Sequence, residues 1–161
     1  MNRPISRRGA IMAMGALGLP IPAFAARESI TAKIVVEDRR LWVAASIDGS
    51  EPMLFVVDTG ASSNFIQPDV AKRLKLATGG FGSVGGVGGR TAMTTVVEAR
   101  NVLIGGAMRQ SRMQFSTYGA GRGGDAAGLF AAGLVTAYDS DLDFVNGVWR
   151  IWPKGREGTP A

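Results

Sequence analysis

Residues 54–66 read LFVVDTGASSNFI, which places Asp58, Thr59 and Gly60 directly after a run of four apolar residues. The run shows no alternation of apolar and polar residues, and it therefore predicts a strand over residues 53–57 that is covered on both faces. Asp58 then lies where the chain leaves the core, and the glycine that follows permits a tight turn. Thr59 can donate a hydroxyl hydrogen bond nearby. This stretch predicts a reactive carboxylate at the end of a buried strand.

The composition limits the chemistry in which such a carboxylate can take part. The 161 residues include no Cys and no His. Disulfides, thiolate nucleophiles, Ser-His-Asp triads and metal sites built on Cys or His are therefore excluded. Any hydrolysis must use carboxylates, hydroxyls, lysines or backbone groups. A chain of this length supports one domain that buries about two thirds of its unfolded surface.

The first 25 residues have the features of an export signal. Three arginines precede an apolar run over residues 9–19, and an Ala-Phe-Ala tripeptide ends at Ala25. An apolar run of about 11 residues is shorter than the roughly 18 to 20 that a membrane-spanning helix needs. Arg7 and Arg8 resemble the twin-arginine signal, with a general secretory signal as the alternative. We expect cleavage near Ala25, a periplasmic or secreted protein, and no stable membrane span.

The part of the chain after the signal carries 15 basic and 13 acidic side chains, for a net charge of +2. Its basic residues are scattered, and a nucleic-acid partner is not expected because such partners require clustered positive charge. We assign residues 26–154 to one domain. Residues 155–161, of mixed charge with Pro160, predict a disordered tail.

Most of the domain predicts strands. Apolar and β-branched runs indicate strands at residues 30–36, 41–47, 102–104, 113–115, 142–145 and 148–152. The first two are expected to form an antiparallel hairpin, and Asn146 and Gly147 predict a two-residue turn between the last two. Residues 68–74 begin with Pro and predict a short helix, and residues 128–137 have helical composition. Seven of the eleven residues in 79–89 are Gly, which predicts a mobile loop between two strands.

The Asp-Thr-Gly-Ala sequence after an apolar strand resembles the motif that carries the catalytic aspartate of retropepsin-like aspartic proteases. Residues 79–89 fall where that family has its glycine-rich flap, and residues 128–131 fall where it has a second apolar element. Residues 143–149 resemble the closing hairpin of bacterial members. The resemblance covers roughly residues 30–152 and implies an all-β, single-lobe acid-protease barrel with one or two short helices.

The resemblance also implies the roles of individual residues. Asp58, Thr59 and Gly60 would form the catalytic loop, with Thr59 bracing two such loops across a dimer axis. The flap would close over an extended peptide substrate. The expected substrate contacts are Ala61, Gly85, Gly86, Val87 and Gly88.

An aspartic protease needs two carboxylates about 3 Å apart. At an effective dielectric near 20, their repulsion is on the order of 5 kcal/mol, so the pair shares one proton. One carboxylate activates water while its protonated partner donates to the scissile carbonyl, with no cofactor, metal or covalent intermediate. The chain has one Asp-Thr-Gly and is too short for two lobes. We therefore expect a homodimer in which each copy contributes Asp58, and an inactive monomer.

The competing hypothesis is a catalytically inactive binding or scaffold domain in the cell envelope. It rests on Ala131, which stands where the family usually has Gly and predicts a looser or shifted strand beneath the active-site loop. Two cofactor patterns are rejected. Residues 80–85 match G-x-G-x-x-G without the flanking strand and helix of a nucleotide site, and residues 139–150 lack the Gly and Glu of a calcium loop.

Overall fold

The computed structural model describes residues 28–85, 91–117 and 125–153. The predicted signal (residues 1–25) and tail (residues 155–161) lie outside these ranges, as do the flap residues Gly86, Val87 and Gly88. None of the helices in the described ranges has the length and apolarity that crossing a membrane requires.

The described residues form ten strands and two short helices, which confirms the predicted all-β class. The strands are β1 (Ile30–Glu37), β2 (Arg40–Ser46), β3 (Met53–Asp58), β4 (Phe65–Ile66), β5 (Ala77–Gly85), β6 (Thr91–Ile104), β7 (Met108–Thr117), β8 (Gly128–Ala131), β9 (Asp139–Asp143) and β10 (Val148–Trp152). The helices are α1 (Pro68–Arg73) and α2 (Ala132–Thr136). The β1–β2 hairpin and the helix after Pro68 are confirmed.

The strands form one sheet in the order β5-β6-β7-β4-β8-β3-β2-β1-β10-β9. A further antiparallel pairing, Ala45 with Ile104 and Ser46 with Leu103, joins β2 to β6 and closes six of the strands into a ring. Strand β3 pairs in parallel with β8, and β4 pairs in parallel with β7. The strand that carries Asp58 is therefore held between β2 and β8 in the ring.

Three phenylalanine rings pack together inside this ring. Phe55 on β3 stacks on Phe130 of β8 with ring centroids 4.7 Å apart, and Phe115 on β7 lies about 6 Å from both. All three side chains are buried. Their packing joins the strand that ends at Asp58 to strands more than fifty residues away in the sequence.

The prediction that β3 is covered on both faces is wrong. Phe55 and Val57 are buried, whereas Leu54 is 49% exposed and Val56 is partly exposed. In a closed ring one face of each strand points to the interior, so the other face is covered only where another element lies over it. An unbroken apolar run did not distinguish these two faces.

The predicted loop over residues 79–89 is wrong for residues 79–85, and residues 86–89 lie outside the described residues. Residues 79–85 belong to β5, which pairs with β6 from Ala77 opposite Glu98 to Gly85 opposite Thr91. The ladder satisfies the backbone groups of a segment whose glycines would otherwise disfavour a strand. Its one irregularity lies between Thr78 and Gly80.

Two further boundaries differ from the sequence prediction. The predicted helical segment over residues 128–137 divides into β8 and α2, because its first four residues pair with β3 and the first two of them also pair with β4. The last hairpin has a four-residue turn over residues 144–147 instead of a two-residue turn. Asp143 closes this turn by accepting hydrogen bonds from the backbone and side-chain nitrogens of Asn146, at 3.0 and 2.8 Å.

Candidate active site

Asp58 is the last residue of β3, and it is exposed. The backbone N–H of Gly60 donates a 2.9 Å hydrogen bond to its Oδ1, and the N–H of Ala61 donates to its backbone carbonyl at 3.2 Å. A Cβ at position 60 would lie 3.3 Å from Oδ1. The glycine thus permits close approach of the backbone to the carboxylate, and the turn itself orients one carboxylate oxygen.

Asn64 anchors the loop that follows Asp58. Its side-chain Oδ1 accepts a 2.9 Å hydrogen bond from the N–H of Ala131, and its Nδ2 donates to the carbonyl of Gln114 at 3.2 Å. Its own carbonyl accepts from the N–H of Ser116 at 2.9 Å. One residue therefore ties the loop after Asp58 to both β8 and β7. The sequence reasoning missed Asn64, although an amide that can donate and accept, directly before a strand, was an available signal.

The structure brings four of the predicted site residues into one turn. Thr59 and Gly60 are exposed and Ala61 is partly buried, all within three residues of Asp58. Gly85 lies apart from them at the end of β5, opposite Thr91. The catalytic and substrate-binding roles of these residues stay predictions, and Gly86, Val87 and Gly88 lie outside the described residues.

The expectation that Ala131 loosens the strand beneath the loop is wrong. β3 and β8 pair without interruption from Phe55 opposite Gly128 to Asp58 opposite Ala131. Ala131 has φ −78° and ψ 170°, which is ordinary extended backbone for any L-residue. The position that demands glycine is instead Gly128, where a Cβ would collide with the carbonyl oxygen of Phe65 and come within 2.9 Å of the ring of Phe55.

A groove of about 580 Å³ lies beside the loop. The loop after Asp58, strands β5, β6, β7 and β8, and helix α2 with the two residues after it all contribute to it. Its lining residues are Ser62, Ser63, Asn64, Gly82, Ser83, Thr94, Val96, Gln110, Arg112, Met113, Gln114, Phe115, Ser116, Ala131, Gly133, Leu134, Ala137 and Tyr138. None of these was predicted as a site residue, and Asp58, Thr59, Gly60, Ala61 and Gly85 are not among them. The lining residues come from separate segments that only folding brings together. The volume is in the range of sites that bind small molecules or several peptide side chains.

The described residues contain no group of three or more His, Cys, Asp or Glu side chains that could hold a metal ion. The groove lining offers hydroxyls, amides and one guanidinium. These groups can bind a peptide through hydrogen bonds. Ala131, which lines the groove, pairs with Asp58 across β3 and β8.

Comparisons with known proteins agree with this geometry. The sequence profile of the family described as aspartyl protease matches residues 43–129, more than half of the chain. The fold is similar to the crystal structure of a retropepsin-like aspartic protease from Rickettsia conorii, with a TM-score of 0.53, 17% sequence identity, and coverage of 77% of this chain and 89% of that one. No curated protein matches the chain. The chain belongs to the aspartyl protease family and has a retropepsin-like fold.

Proposed function

We propose that this protease is an exported endopeptidase that acts as a homodimer, with one Asp58 from each copy forming a shared catalytic pair. The observation that carries the proposal is the exposed Asp58 carboxylate at the end of β3, held by the N–H of Gly60. An exposed carboxylate on a loop braced by Asn64 is available to a second chain. Residues 59–64 of that loop include no basic side chain that could pair with it.

The requirement for two copies follows from the chemistry. One carboxylate cannot act as base and as acid in the same step, and this chain contains a single Asp-Thr-Gly. A two-fold contact brings a residue opposite its own copy, so one motif is sufficient for a pair. Thr59, which neighbours Asp58 and is exposed, is the residue proposed to hydrogen-bond across the axis.

In the proposed reaction, the ionised Asp58 takes a proton from water while the water oxygen attacks the scissile carbonyl carbon. The protonated Asp58 of the partner subunit donates its proton to the carbonyl oxygen, giving a tetrahedral diol. Collapse of the diol breaks the C–N bond, the leaving nitrogen takes a proton from the first carboxyl group, and a hydroxyl proton returns to the second. The pair ends with the single shared proton with which it began.

A mixing experiment tests both the residue and the dimer. Peptide hydrolysis by the mature protein is measured from about pH 3 to 7 against the isosteric Asp58→Asn variant, which should be inactive. Unfolded wild-type and variant chains are then refolded together in equal amounts. If two Asp58 residues share a site, activity falls to about one quarter of the wild-type value at the same total protein, because only like pairs of wild-type chains are active. A monomeric enzyme would retain about one half.

The inactive binding or scaffold domain remains the alternative outcome of this test. Equal rates for the wild type and Asp58→Asn, or no hydrolysis by either, would favour it. The uninterrupted pairing of β8 at Ala131 is evidence against the strand distortion on which that alternative chiefly rested.

Export is proposed from residues 1–25 alone. Expression of the full chain followed by fractionation should place a processed protein, shortened near Ala25, outside the cytoplasm. Replacement of both Arg7 and Arg8 by Lys should retain the precursor in the cytoplasm if the signal is of the twin-arginine type, and should leave export unchanged if it is a general secretory signal.

A further inference from the structure

The groove that Ser62, Ser63 and Asn64 line has an unbalanced charge. Among its lining residues in the described part of the chain, Arg112 is the one charged side chain, and the remaining polar groups are hydroxyls and amides. Arg112 lies on β7, the strand to which Asn64 ties the catalytic loop. A peptide that occupies the groove therefore meets a single positive charge.

That charge is only partly neutralised by the protein. Nη1 of Arg112 lies 3.4 Å from Oε2 of Glu98, but the other oxygen of Glu98 accepts a 3.1 Å hydrogen bond from Nε of Arg100. Arg100 and Arg112 are directly opposite each other on β6 and β7. Two guanidinium groups thus share one carboxylate, which leaves an excess of one positive charge, and like charges at such a pair are unfavourable without a further anion.

The guanidinium of Arg112 is also available to a ligand. Its side chain is 63% exposed, and the contact with Glu98 engages one of its nitrogens. The planar group carries five N–H donors, of which two can bind a carboxylate side by side.

A second donor lies in the same groove. The hydroxyl of Tyr138 accepts a 3.0 Å hydrogen bond from Nε2 of Gln110, the residue two positions before Arg112 on β7. A phenol that accepts in this way keeps its own hydrogen for donation. Tyr138 is partly exposed and lines the groove from the end that follows α2.

We infer that Arg112 determines substrate specificity by binding a carboxylate of the peptide, with the Tyr138 hydroxyl as a further donor. The preferred substrates then carry Glu or Asp at the position that occupies this groove, or end there in a free carboxylate. This inference rests on the proposed protease function, because it assigns a substrate class to the same site.

The test compares peptides that differ only in charge. Each peptide in the series has ten residues of Ala, Leu and Phe and is acetylated and amidated at its ends. In each peptide, one position in turn is replaced by Glu or by the isosteric Gln. A further set of Gln peptides has free C-termini and different lengths. It distinguishes binding of a C-terminal carboxylate from binding of a side-chain carboxylate. We expect kcat/KM to be about five- to tenfold higher for Glu than for Gln at one position, or for the free C-terminus than for the amidated one at one peptide length.

The variants Arg112→Gln and Arg109→Gln form a matched pair. Both residues are exposed on β7, but Arg109 does not line the groove. The ratio of kcat/KM values should fall toward one in Arg112→Gln and persist in Arg109→Gln. Arg112→Glu should reverse the preference when Lys replaces Glu in the peptide. A preference that survives Arg112→Gln, or no preference in the wild type, overturns the inference.

A binding experiment keeps this inference separate from the proposed catalysis. The same peptides, labelled with fluorescein, are titrated with Asp58→Asn protein and with the Asp58→Asn, Arg112→Gln double variant, and the dissociation constants are measured by anisotropy. If the wild type hydrolyses nothing, the proposed function fails. A selective, Arg112-dependent affinity for the carboxylate peptides would still support the binding role, and equal affinities for all peptides would refute it.

Discussion

The side-chain Oδ1 of Asn64 accepts a 2.9 Å hydrogen bond from the backbone N–H of Ala131, the residue that pairs with Asp58 across β3 and β8. The two partners are 67 residues apart in the sequence. Because Ala131 is buried, its N–H has no access to bulk solvent as an alternative partner. The position of the loop after Asp58 therefore depends on β8, a strand that is distant from the loop in the sequence.

Asn64→Ala removes that acceptor and also the donor to Gln114. We expect the free energy of unfolding to fall by about 1–3 kcal/mol, because a buried N–H is left unsatisfied. Urea unfolding of the mature protein measures the change. Ser63→Ala, at the exposed neighbouring position, is the control and should stay within about 0.5 kcal/mol of the wild type. Equal stabilities for the two variants would show that water replaces the lost bond.

Gly60→Ala tests the approach of the backbone to the carboxylate. The new Cβ would lie 3.3 Å from Oδ1 of Asp58, so the carboxylate must shift by a few tenths of an ångström. We expect kcat/KM to fall by on the order of tenfold with little change in stability, because catalysis is sensitive to such displacements. Gly79→Ala is the control, since its Cβ would meet an ordinary 3.7 Å contact with the carbonyl oxygen of Val96. Unchanged activity in Gly60→Ala would refute this role.

Gly128→Ala should lower the stability of the protein much more than Gly133→Ala. Its Cβ would collide with the carbonyl oxygen of Phe65 and lie 3.0 Å from Cα of Ile66, which forces β4 and β8 apart. We expect a loss of at least about 3 kcal/mol in the free energy of unfolding, or an insoluble protein.

Gly133→Ala is the matched control for this substitution. A Cβ at Gly133 would have no atom within 4 Å outside its own helix. Because the residue lies in α2, alanine should be neutral or stabilise by about 0.5–1 kcal/mol. A result in which both variants unfold at the same urea concentration would contradict the close packing of β8 on β4.

The turn between β9 and β10 predicts a pH effect. Hydrogen bonds from the side chain and the backbone of Asn146 lower the pKa of Asp143 below its ordinary value of 3.8, and Arg150 lowers it further. Because the folded pKa is below the unfolded one, the ionised carboxylate contributes its full stabilisation above the unfolded pKa. That contribution is lost as the pH falls through the folded value.

Titration of the Asp143 carboxyl group by NMR measures this shift directly. Asn146→Ala keeps the backbone N–H but should raise the pKa toward 3.8, and Arg150→Gln should raise it by less, because the side-chain hydrogen bond from Asn146 is the largest cause. A larger effect of Arg150→Gln would mean that charge, and not hydrogen bonding, controls the turn.

Local patterns were sufficient where the cause of structure is local. Residue preferences that act over a few neighbours predicted three elements. These are the strand before Asp58, the β1–β2 hairpin and the helix that begins at Pro68. The glycine-rich part of β5 was predicted as a loop. It forms a strand because it pairs with β6, and residue propensities carry no information about that pairing. The segment starting at Gly128 was misread as helical for the same reason, since its strand exists through pairing with β3 and β4.

The amino-acid sequence by itself limited the class of chemistry: without Cys or His, any hydrolysis must use carboxylates, hydroxyls, lysines or backbone groups, and the one Asp-Thr-Gly after an apolar strand favours a carboxylate. Only the tertiary structure decided which residues anchor the loop after Asp58 and which line the groove beside that loop. Asn64 meets Ala131 where β4 pairs with β8, and Arg112 shares Glu98 with Arg100 where β6 pairs with β7. The physical reason is that residue type and spacing act over a few positions, whereas such contacts arise when burial of the core brings distant strands together.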